Sequence, residues 1–237
     1  MQLRYNDLGQ PIGEPLPDWQ ACPKPEAKTL NGRFCRLVKL DIELHATALY
    51  QAFSLDKEGR NWTYLAYGPF DDFSAFKDWL VSDCQGSDPL FFTIIDINTG
   101  QPVGMTALMR IQPQHGSIEV GNVHFSPLMQ QTPMATEAMY LLMAYAFEEL
   151  GYRRYEWKCD SLNMPSRKAA ERLGFQYEGT FRQAVVYNGR NRDTAWFSMI
   201  DSEWPDLKAA FRAWLNPANF DENGQQKAPL QAFRSAL

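Results

Sequence analysis

The chain has 237 residues, of which 45% are hydrophobic and 14% aromatic, whereas only 22% are charged. This composition excludes a disordered chain or a long coiled coil and is typical of a globular protein. The formal net charge of −5 does not favour binding to nucleic acid or to an anionic membrane. No leader-like segment and no run of eighteen apolar residues occurs, and the four cysteines are widely separated. We therefore expect a cytoplasmic protein without a membrane span, a disulfide or a bound metal.

The first half of the chain predicts an arm, two helices and several strands. Residues 1–32 are rich in proline and predict an extended arm that lies on the domain. From residue 33, F-C-R-L-V-K-L alternates as a strand, and Asp41 is placed to cap the helix that follows. The aromatic stretch N-W-T-Y-L-A-Y-G-P-F predicts a loop, and an amphipathic helix comes next. L-F-F-T-I-I-D, V-G-M-T-A-L-M-R-I and S-I-E-V-G-N-V-H-F predict three strands of an antiparallel meander.

The second half alternates helices and strands. Residues 133–150 are apolar on most sides and predict a buried helix that ends at Gly151. A strand, a short helix and a further strand follow, and Asn188-Gly189 predicts a hairpin turn into the last strand. A helix over about residues 205–215 and a polar tail lie in the C-terminal segment, residues 204–237. The predicted fold is α/β (α+β): one domain over residues 33–203, with a mixed, mostly antiparallel twisted sheet and helices on both faces.

The segment Q-Q-T-P-M-A-T-E-A predicts a helix start that suits an anion. Thr132 is a candidate N-cap, and Pro133 occupies the first helical position. The backbone N–H groups of Met134, Ala135 and Thr136 would then point at a group in front of the helix, where the helix dipole favours negative charge. An ordinary capped helix without a ligand is the alternative.

The order of the elements, with Q-Q-T-P-M-A-T-E-A on the central helix and N-M-P-S before R-L-G-F, resembles the GNAT superfamily of acetyl-CoA-dependent N-acetyltransferases. Over about residues 33–203 the chain looks most like the branch of ribosomal-protein N-terminal (alanine/serine) acetyltransferases. The resemblance implies acetyl-CoA as co-substrate and a pyrophosphate motif, Q/R-x-x-G-x-G/A, on residues 130–135. Gln130 and Ala135 match it, but Pro133 replaces a glycine and removes one backbone donor, at a cost of about 1 kcal/mol. The expected cofactor contacts are Val123, Phe125, Gln130, Gln131, Met134, Ala135, Thr136 and Asn163.

In this branch the resemblance implies a glutamate base near the acceptor strand and an N-x-x-S motif near the thioester sulfur. Asn163 and Ser166 match that motif. Ser166 is a candidate proton donor to the departing thiolate. Asn163 is a further candidate catalytic residue, which would hold either the loop or the pantetheine arm by hydrogen bonds. Helix capping is the alternative for both. The tyrosine acid of many other GNAT enzymes falls on Ala170 here, so that mechanism is not available in its usual place.

Glu119 in S-I-E-V-G-N-V-H-F is the candidate base. We expect it to share a strand face with Gly121, Val123 and Phe125, because side chains alternate along a strand, and these apolar neighbours would help it to accept a proton. A salt-bridged strand residue is the alternative, and His124 is a second candidate base. Backbone groups around Val123 and Phe125 are expected to align the pantetheine arm.

Aromatic residues are candidates for the acceptor pocket. Trp62, Tyr64, Tyr67 and Phe70 would form one wall and residues 187–196 the other, whereas the charged residues of G-R-N-R-D-T are expected to be solvated. The sequence thus predicts an N-acetyltransferase that acts on a primary amine of a peptide or small molecule, as a monomer or homodimer. A non-catalytic acyl-CoA-binding or interaction module on the same fold is the alternative, and transfer of a longer acyl group stays open.

Overall fold

The computed structural model describes residues 3–234. Within this range the strands are β1 (Arg4–Tyr5), β2 (Pro11–Ile12), β3 (Leu30–Asn31), β4 (Cys35–Lys39), β5 (Leu90–Asp96), β6 (Pro102–Gln112), β7 (Ser117–Phe125), β8 (Arg154–Asp160), β9 (Gln176–Tyr187) and β10 (Arg190–Ile200). The α-helices are α1 (Ile42–Phe53), α2 (Phe73–Asp83), α3 (Pro133–Ala144), α4 (Met164–Leu173) and α5 (Trp204–Trp214). None of these helices has the length and apolar character needed to cross a membrane.

One mixed sheet organises the molecule. β1 and β2 form a separate hairpin, and the other eight strands follow the order β3-β4-β5-β6-β7-β8-β10-β9. Neighbouring strands are antiparallel, except for β7 and β8, which run parallel. The parallel pairing joins only residues 117–120 to residues 154–157. The predicted mixed, mostly antiparallel sheet is therefore confirmed.

Helices cover both faces of this sheet. On one face, α1 and α2 pack against Phe91, Met105 and Ala107 of the central strands. On the other face, α3, α4 and α5 pack around side chains that include Ile118 and Val120. We call these the α1/α2 face and the α3/α4 face. Because both faces are covered, the central strands are apolar on both sides, as the sequence of β5 already shows.

A β-bulge in β7 makes this strand leave β8. Between the pairs Ala107–Gly121 and Met105–His124, β7 contains one residue more than β6. Asn122 has a φ of +49° at this point, in the left-handed region that asparagine tolerates better than most residues. The pairing with β8 has already ended here. The second half of β7 therefore has no strand partner on its β8 side within residues 3–234.

A buried carboxylate ties α3 to the edge of the sheet. Glu137 lies one turn into α3. It accepts hydrogen bonds from the backbone N–H groups of Arg33 (2.7 Å) and Phe34 (2.6 Å), in the turn between β3 and β4, and of Cys35 (2.9 Å), the first residue of β4. A side chain at Gly32 would overlap with this carboxyl group. Three N–H donors satisfy a carboxylate that would otherwise be costly to bury. The contact fixes the start of α3 against the strands.

The two ends of the chain pack on this core. The proline-rich segment runs along the domain, where Trp19 Nε1 donates to the Gln114 carbonyl (2.9 Å) and the Glu26 N–H donates to the Tyr145 hydroxyl (2.8 Å). β3 falls within the predicted arm but joins the edge of the main sheet. α5 begins one residue before its predicted start, and its apolar side chains join the core of the α3/α4 face.

Candidate active site

The unpaired half of β7 carries the predicted pantetheine contacts. Val123 and Phe125 lie partly buried against the core of the α3/α4 face. Their backbone is in the part of β7 that has left β8. An extended ligand can add to such a strand edge through main-chain hydrogen bonds. The Phe125 carbonyl already accepts a bond from Gln130 Nε2 (2.8 Å).

The bulge also changes the face on which Glu119 lies. Glu119 pairs with Met109, and both lie near Gly121 on the α1/α2 face. Strict alternation would put residues 119, 121, 123 and 125 on one face. The extra residue at position 122 shifts the later part of the strand by one, so that His124 takes the α1/α2 face instead. The predicted common face of Glu119, Val123 and Phe125 is therefore wrong.

The start of α3 has no side-chain cap. Thr132 is the N-cap residue, as predicted, but its hydroxyl donates to the Met129 carbonyl (2.7 Å) and does not accept from the first turn. Pro133 occupies the first turn and offers no N–H. The Ala135 N–H makes a long bond of 3.3 Å to the Thr132 carbonyl. An anion in front of α3 could therefore accept hydrogen bonds from backbone N–H groups of the first turn, which also includes Met134.

Gln130 and Gln131 lie in the turn in front of α3, and both are exposed. The bond from Gln130 to Phe125 ties this turn to the end of β7. Gln131 has a φ of +60°, a left-handed conformation that reverses the chain before the helix. The unpaired end of β7 and the uncapped start of α3 are thereby held next to each other.

The N-x-x-S motif forms the start of α4. The Asn163 side chain accepts the Ser166 N–H (3.1 Å), which is the capping alternative. The Ser166 hydroxyl accepts from Trp157 Nε1 (2.9 Å), which leaves its own proton for a second partner. Burial raises the pKa of the neighbouring Cys159 thiol, and a hydrogen bond with Ser166 partly opposes this effect. Because Trp157 and Val120 form the last pair between β8 and β7, Ser166 lies one side chain from the point where these strands part.

Glu119 is buried among charges. It is 2% exposed, and its carboxylate pairs with Arg110 Nη1 (2.6 Å) and Lys158 Nζ (2.8 Å). Lys158 also pairs with Glu156 (2.7 Å), and its ammonium lies 3.8 Å from the centre of the Trp196 ring. The apolar surroundings expected for Glu119 are thus wrong, and the salt-bridged alternative describes its environment.

His124 is a buried imidazole beside two aromatic rings. Its ring centre lies 4.0 Å from those of both Phe53 and Trp62. Among residues 3–234, neither of its nitrogens has a hydrogen-bond partner. Burial lowers the pKa of His124 to about 3, against a smaller opposing effect of Asp56. A group that stays neutral so far below pH 7 is a weak proton acceptor, which disfavours His124 as the base.

A cavity of about 240 Å³ opens on the α1/α2 face, between the end of α1, the 54–70 loop and the start of α2. Of the four aromatic residues predicted for this wall, Trp62 and Phe70 line the cavity. Tyr67 instead stacks on Trp79, with 4.2 Å between ring centres, and the Tyr64 hydroxyl donates to a main-chain carbonyl (3.2 Å). The other aromatic lining residues are Tyr50, Phe53 and Phe76.

The turn between β9 and β10 contacts the aromatic loop. Asn188 Nδ2 donates to the Leu65 carbonyl (3.1 Å), and Arg190 Nη2 donates to the Thr63 carbonyl (3.1 Å). Arg190 remains exposed to solvent while it makes this bond, as expected from the sequence. These bonds bring the two predicted walls of the acceptor region together.

Two cationic side chains that contact predicted site residues were not themselves predicted from the sequence. Lys158 pairs with Glu119, and Arg172 of the R-L-G-F motif donates from Nη2 to Thr136 Oγ1 (2.6 Å). A signal for Lys158 existed, because Glu156 and Lys158 alternate in β8 and must share one face of the sheet. The Arg172 contact joins two helices, and no local pattern indicates it.

Known proteins share this architecture. A family described as an acetyltransferase (GNAT) domain matches residues 35–176. The crystal structure of a GCN5-related N-acetyltransferase from Brucella melitensis has a TM-score of 0.91 and 50% identity, and the match covers 92% of this chain and 99% of that chain. The uncharacterized N-acetyltransferase p20 of Bacillus licheniformis is 29% identical over 184 residues, which cover 75% of this chain and 98% of p20.

A third relative, YdaF of Bacillus subtilis, is provisionally described as a ribosomal N-acetyltransferase. It is 30% identical over 109 residues, which cover 46% of this chain and 59% of YdaF. The family match takes in β7, α3 and α4, the elements that meet where β7 and β8 part. The chain therefore belongs to the GNAT family of acetyltransferases, and acetyl-CoA is its co-substrate.

Proposed function

We propose that this chain moves the acetyl group of acetyl-CoA directly to a primary amine, with Ser166 as proton donor to the departing thiolate. One observation carries the proposal. The unpaired end of β7, the uncapped start of α3 and the Ser166 hydroxyl lie around the single point where β7 and β8 part. This arrangement offers donors for phosphate, a strand edge for pantetheine and a proton for sulfur.

The residues present fit a CoA-like group. The first turn of α3 presents backbone donors and the positive end of the helix dipole to a pyrophosphate. The edge of β7 presents main-chain groups to the amide-containing pantetheine arm. When bound, acetyl-CoA supplies the acyl group as a thioester. The proposed contacts are Val123, Phe125, Gln130, Gln131, Met134, Ala135 and Thr136.

Ser166 is held in position by its neighbours. Trp157 Nε1 donates to its oxygen, which leaves the hydroxyl proton of Ser166 available to another acceptor. Asn163 caps the same turn of α4, and its proposed role is to position Ser166. A hydroxyl next to the sulfur lowers the free energy of the thiolate that forms as the C–S bond breaks.

Glu119 is the proposed proton acceptor for the amine, acting through water. Its support is the position of its carboxylate on the α1/α2 face, the face on which the aromatic cavity opens. Arg110 and Lys158 hold the carboxylate in place. Because these salt bridges also stabilise the fold, a test of Glu119 must separate lost chemistry from lost stability.

The proposed acceptor is a primary amine next to an apolar group. The aromatic lining of the cavity suits an apolar side chain. The charged lining residues Asp56, Lys57 and Glu58 sum to one negative charge, which favours a cationic amine. The provisional description of YdaF as a ribosomal N-acetyltransferase makes a protein N-terminus the first class to test. Polyamines are the small-molecule comparison.

The experiment begins with calorimetric titration of the protein with acetyl-CoA and with CoA. A thiol-release assay then compares peptides that have small N-terminal residues with polyamines. We expect Ser166→Ala to lower turnover about 100-fold, the lower end of the usual contribution of an acid, with little change in the Kd of CoA. Ser202→Ala, in an exposed turn, is the matched control.

Glu119→Gln should lower turnover and also the melting temperature, because a buried charge partner is lost. If Glu119→Gln has wild-type turnover at temperatures where the variant is fully folded, Glu119 stabilises the fold but does not accept the proton. Wild-type turnover in Ser166→Ala contradicts the proton-donor role. Absence of CoA binding at millimolar ligand rules out the cofactor site, and binding without thiol release from any amine favours the non-catalytic module.

A further inference from the structure

Arg172 is an arginine in a half-buried position that no part of the mechanism above uses. It lies in the last turn of α4, and its Nη2 donates to the hydroxyl of Thr136 at 2.6 Å. Thr136 is 2% exposed and belongs to the start of α3. The guanidinium is therefore held next to the helix end that is proposed to bind pyrophosphate.

This guanidinium has no counterion in the described part of the chain. No carboxylate within residues 3–234 forms a salt bridge with it, and Thr136 accepts the one side-chain hydrogen bond that it makes. Arg154, by contrast, is paired with both Glu156 and Glu178. Burial of Arg172 lowers its pKa, as expected for a cation that has lost water without gaining an anion. Burial of such a cation costs folding free energy unless an anion pairs with it.

The neighbouring start of α3 also lacks a partner for its partial positive charge. The Thr132 hydroxyl is turned away from the first turn, and Pro133 lacks the N–H that the family motif supplies at this position. Two separate features, an uncapped helix start and an unpaired guanidinium, therefore meet at Thr136. A single anion bound in front of α3 would pair with both.

We propose that Arg172 binds the pyrophosphate of CoA and replaces, with a charged contact, the backbone donor that Pro133 removes. An arginine suits this role, because its planar fork can donate two parallel hydrogen bonds to phosphate oxygens. Thr136 is then a positioning residue that orients the fork. The proposal rests on the acetyl-CoA site described above.

The test is calorimetric titration of wild type, Arg172→Gln and Arg172→Lys with CoA, dephospho-CoA and pantetheine. Dephospho-CoA lacks the 3′-phosphate but keeps the pyrophosphate, whereas pantetheine has no phosphate. We expect Arg172→Gln to weaken CoA and dephospho-CoA equally, by about 10-fold or more, as for a lost charge-assisted hydrogen bond. Arg172→Lys should recover part of the affinity, and pantetheine binding should not change.

Arg212→Gln is the matched control, because Arg212 lies exposed on α5 and the variant loses the same charge. Wild-type affinity of Arg172→Gln for CoA would overturn the proposal. A loss confined to CoA would assign Arg172 to the 3′-phosphate instead, and an equal loss with pantetheine would show a disturbed site. If Arg172→Gln does not fold, equal CoA affinity of Arg172→Lys and wild type at low and high salt also overturns it. Failure of wild type to bind CoA is distinguishable, since it contradicts the proposed function itself.

Discussion

His124 lies in an environment that is unusual for a protein interior. Buried polar groups are nearly always hydrogen-bonded, yet both nitrogens of this imidazole lie without a partner among residues 3–234. The rings of Phe53 and Trp62 lie against it, and burial disfavours its charged form. The neutral state of His124 is thus coupled to the folded state, and its protonation favours unfolding.

This coupling predicts a pH dependence of stability. An unfolded histidine has a pKa of about 6.5, and burial lowers the pKa of His124 to about 3. Between these values the unfolded chain binds more protons than the folded one, so stability falls as the pH falls. Relative to His124→Leu, wild type should lose up to about 1.4 kcal/mol of unfolding free energy per pH unit below pH 6.5. Urea unfolding at several pH values measures the difference.

His115→Gln, in an exposed turn, controls for the loss of an imidazole as such. A constant difference between wild type and His124→Leu from pH 7 to pH 4 would mean that the folded state accepts the proton. Retained turnover in His124→Leu would also exclude His124 as the base.

Among the elements, β7 shows what the sequence predicts and what it does not. Its alternating apolar residues gave the correct strand, residues 117–125. The period breaks at Asn122, and one extra residue reverses the face of every later side chain. A Gly-Asn pair inside a strand is the local sign of such a bulge, but only the pairing with β6 decides where the extra residue goes.

Glu137 anchors a whole element, α3, to the β3–β4 turn. Replacement by glutamine keeps the shape but removes the charge and turns an amide donor towards one of three N–H groups. We expect Glu137→Gln to lower the unfolding free energy by about 2 kcal/mol, the range for hydrogen bonds to a charged group. Glu171→Gln, exposed on α4, should change it by less than about 0.5 kcal/mol. Equal melting curves for the two variants would contradict the anchoring role.

The first turn of α3 provides a second prediction at this scale. Pro133→Ala restores a backbone N–H at the first helical position. If this amide reaches the pyrophosphate, CoA should bind about five-fold more tightly, as one neutral hydrogen bond of about 1 kcal/mol implies. Pro205→Ala, in the first turn of α5, is the control for loss of a proline. Unchanged CoA affinity in Pro133→Ala would show that this position does not face the cofactor.

For the whole molecule, the order of elements and the family followed from the sequence, whereas the contacts that complete the site did not. Helix and strand periods, the Pro133 start and the N-x-x-S motif are local patterns, and the structure retains them. The bond from Trp157 to Ser166 and the pairing of Lys158 with Glu119 depend on which strands become neighbours. Tertiary packing decides these contacts, and local sequence carries little trace of them.

The short parallel seam between β7 and β8 has a consequence for the abundance of the protein. Only four residue pairs join the two halves of the sheet. A cofactor bound where β7 and β8 part would add main-chain hydrogen bonds between these halves. Ligand that binds only the folded state stabilises it by about 2.7 kcal/mol at a concentration of 100 Kd. The melting temperature should therefore rise with CoA concentration, and backbone amides of residues 122–125 should exchange more slowly with solvent deuterium. In a cell, a higher concentration of CoA would then lower the unfolded fraction of the enzyme and so slow its degradation.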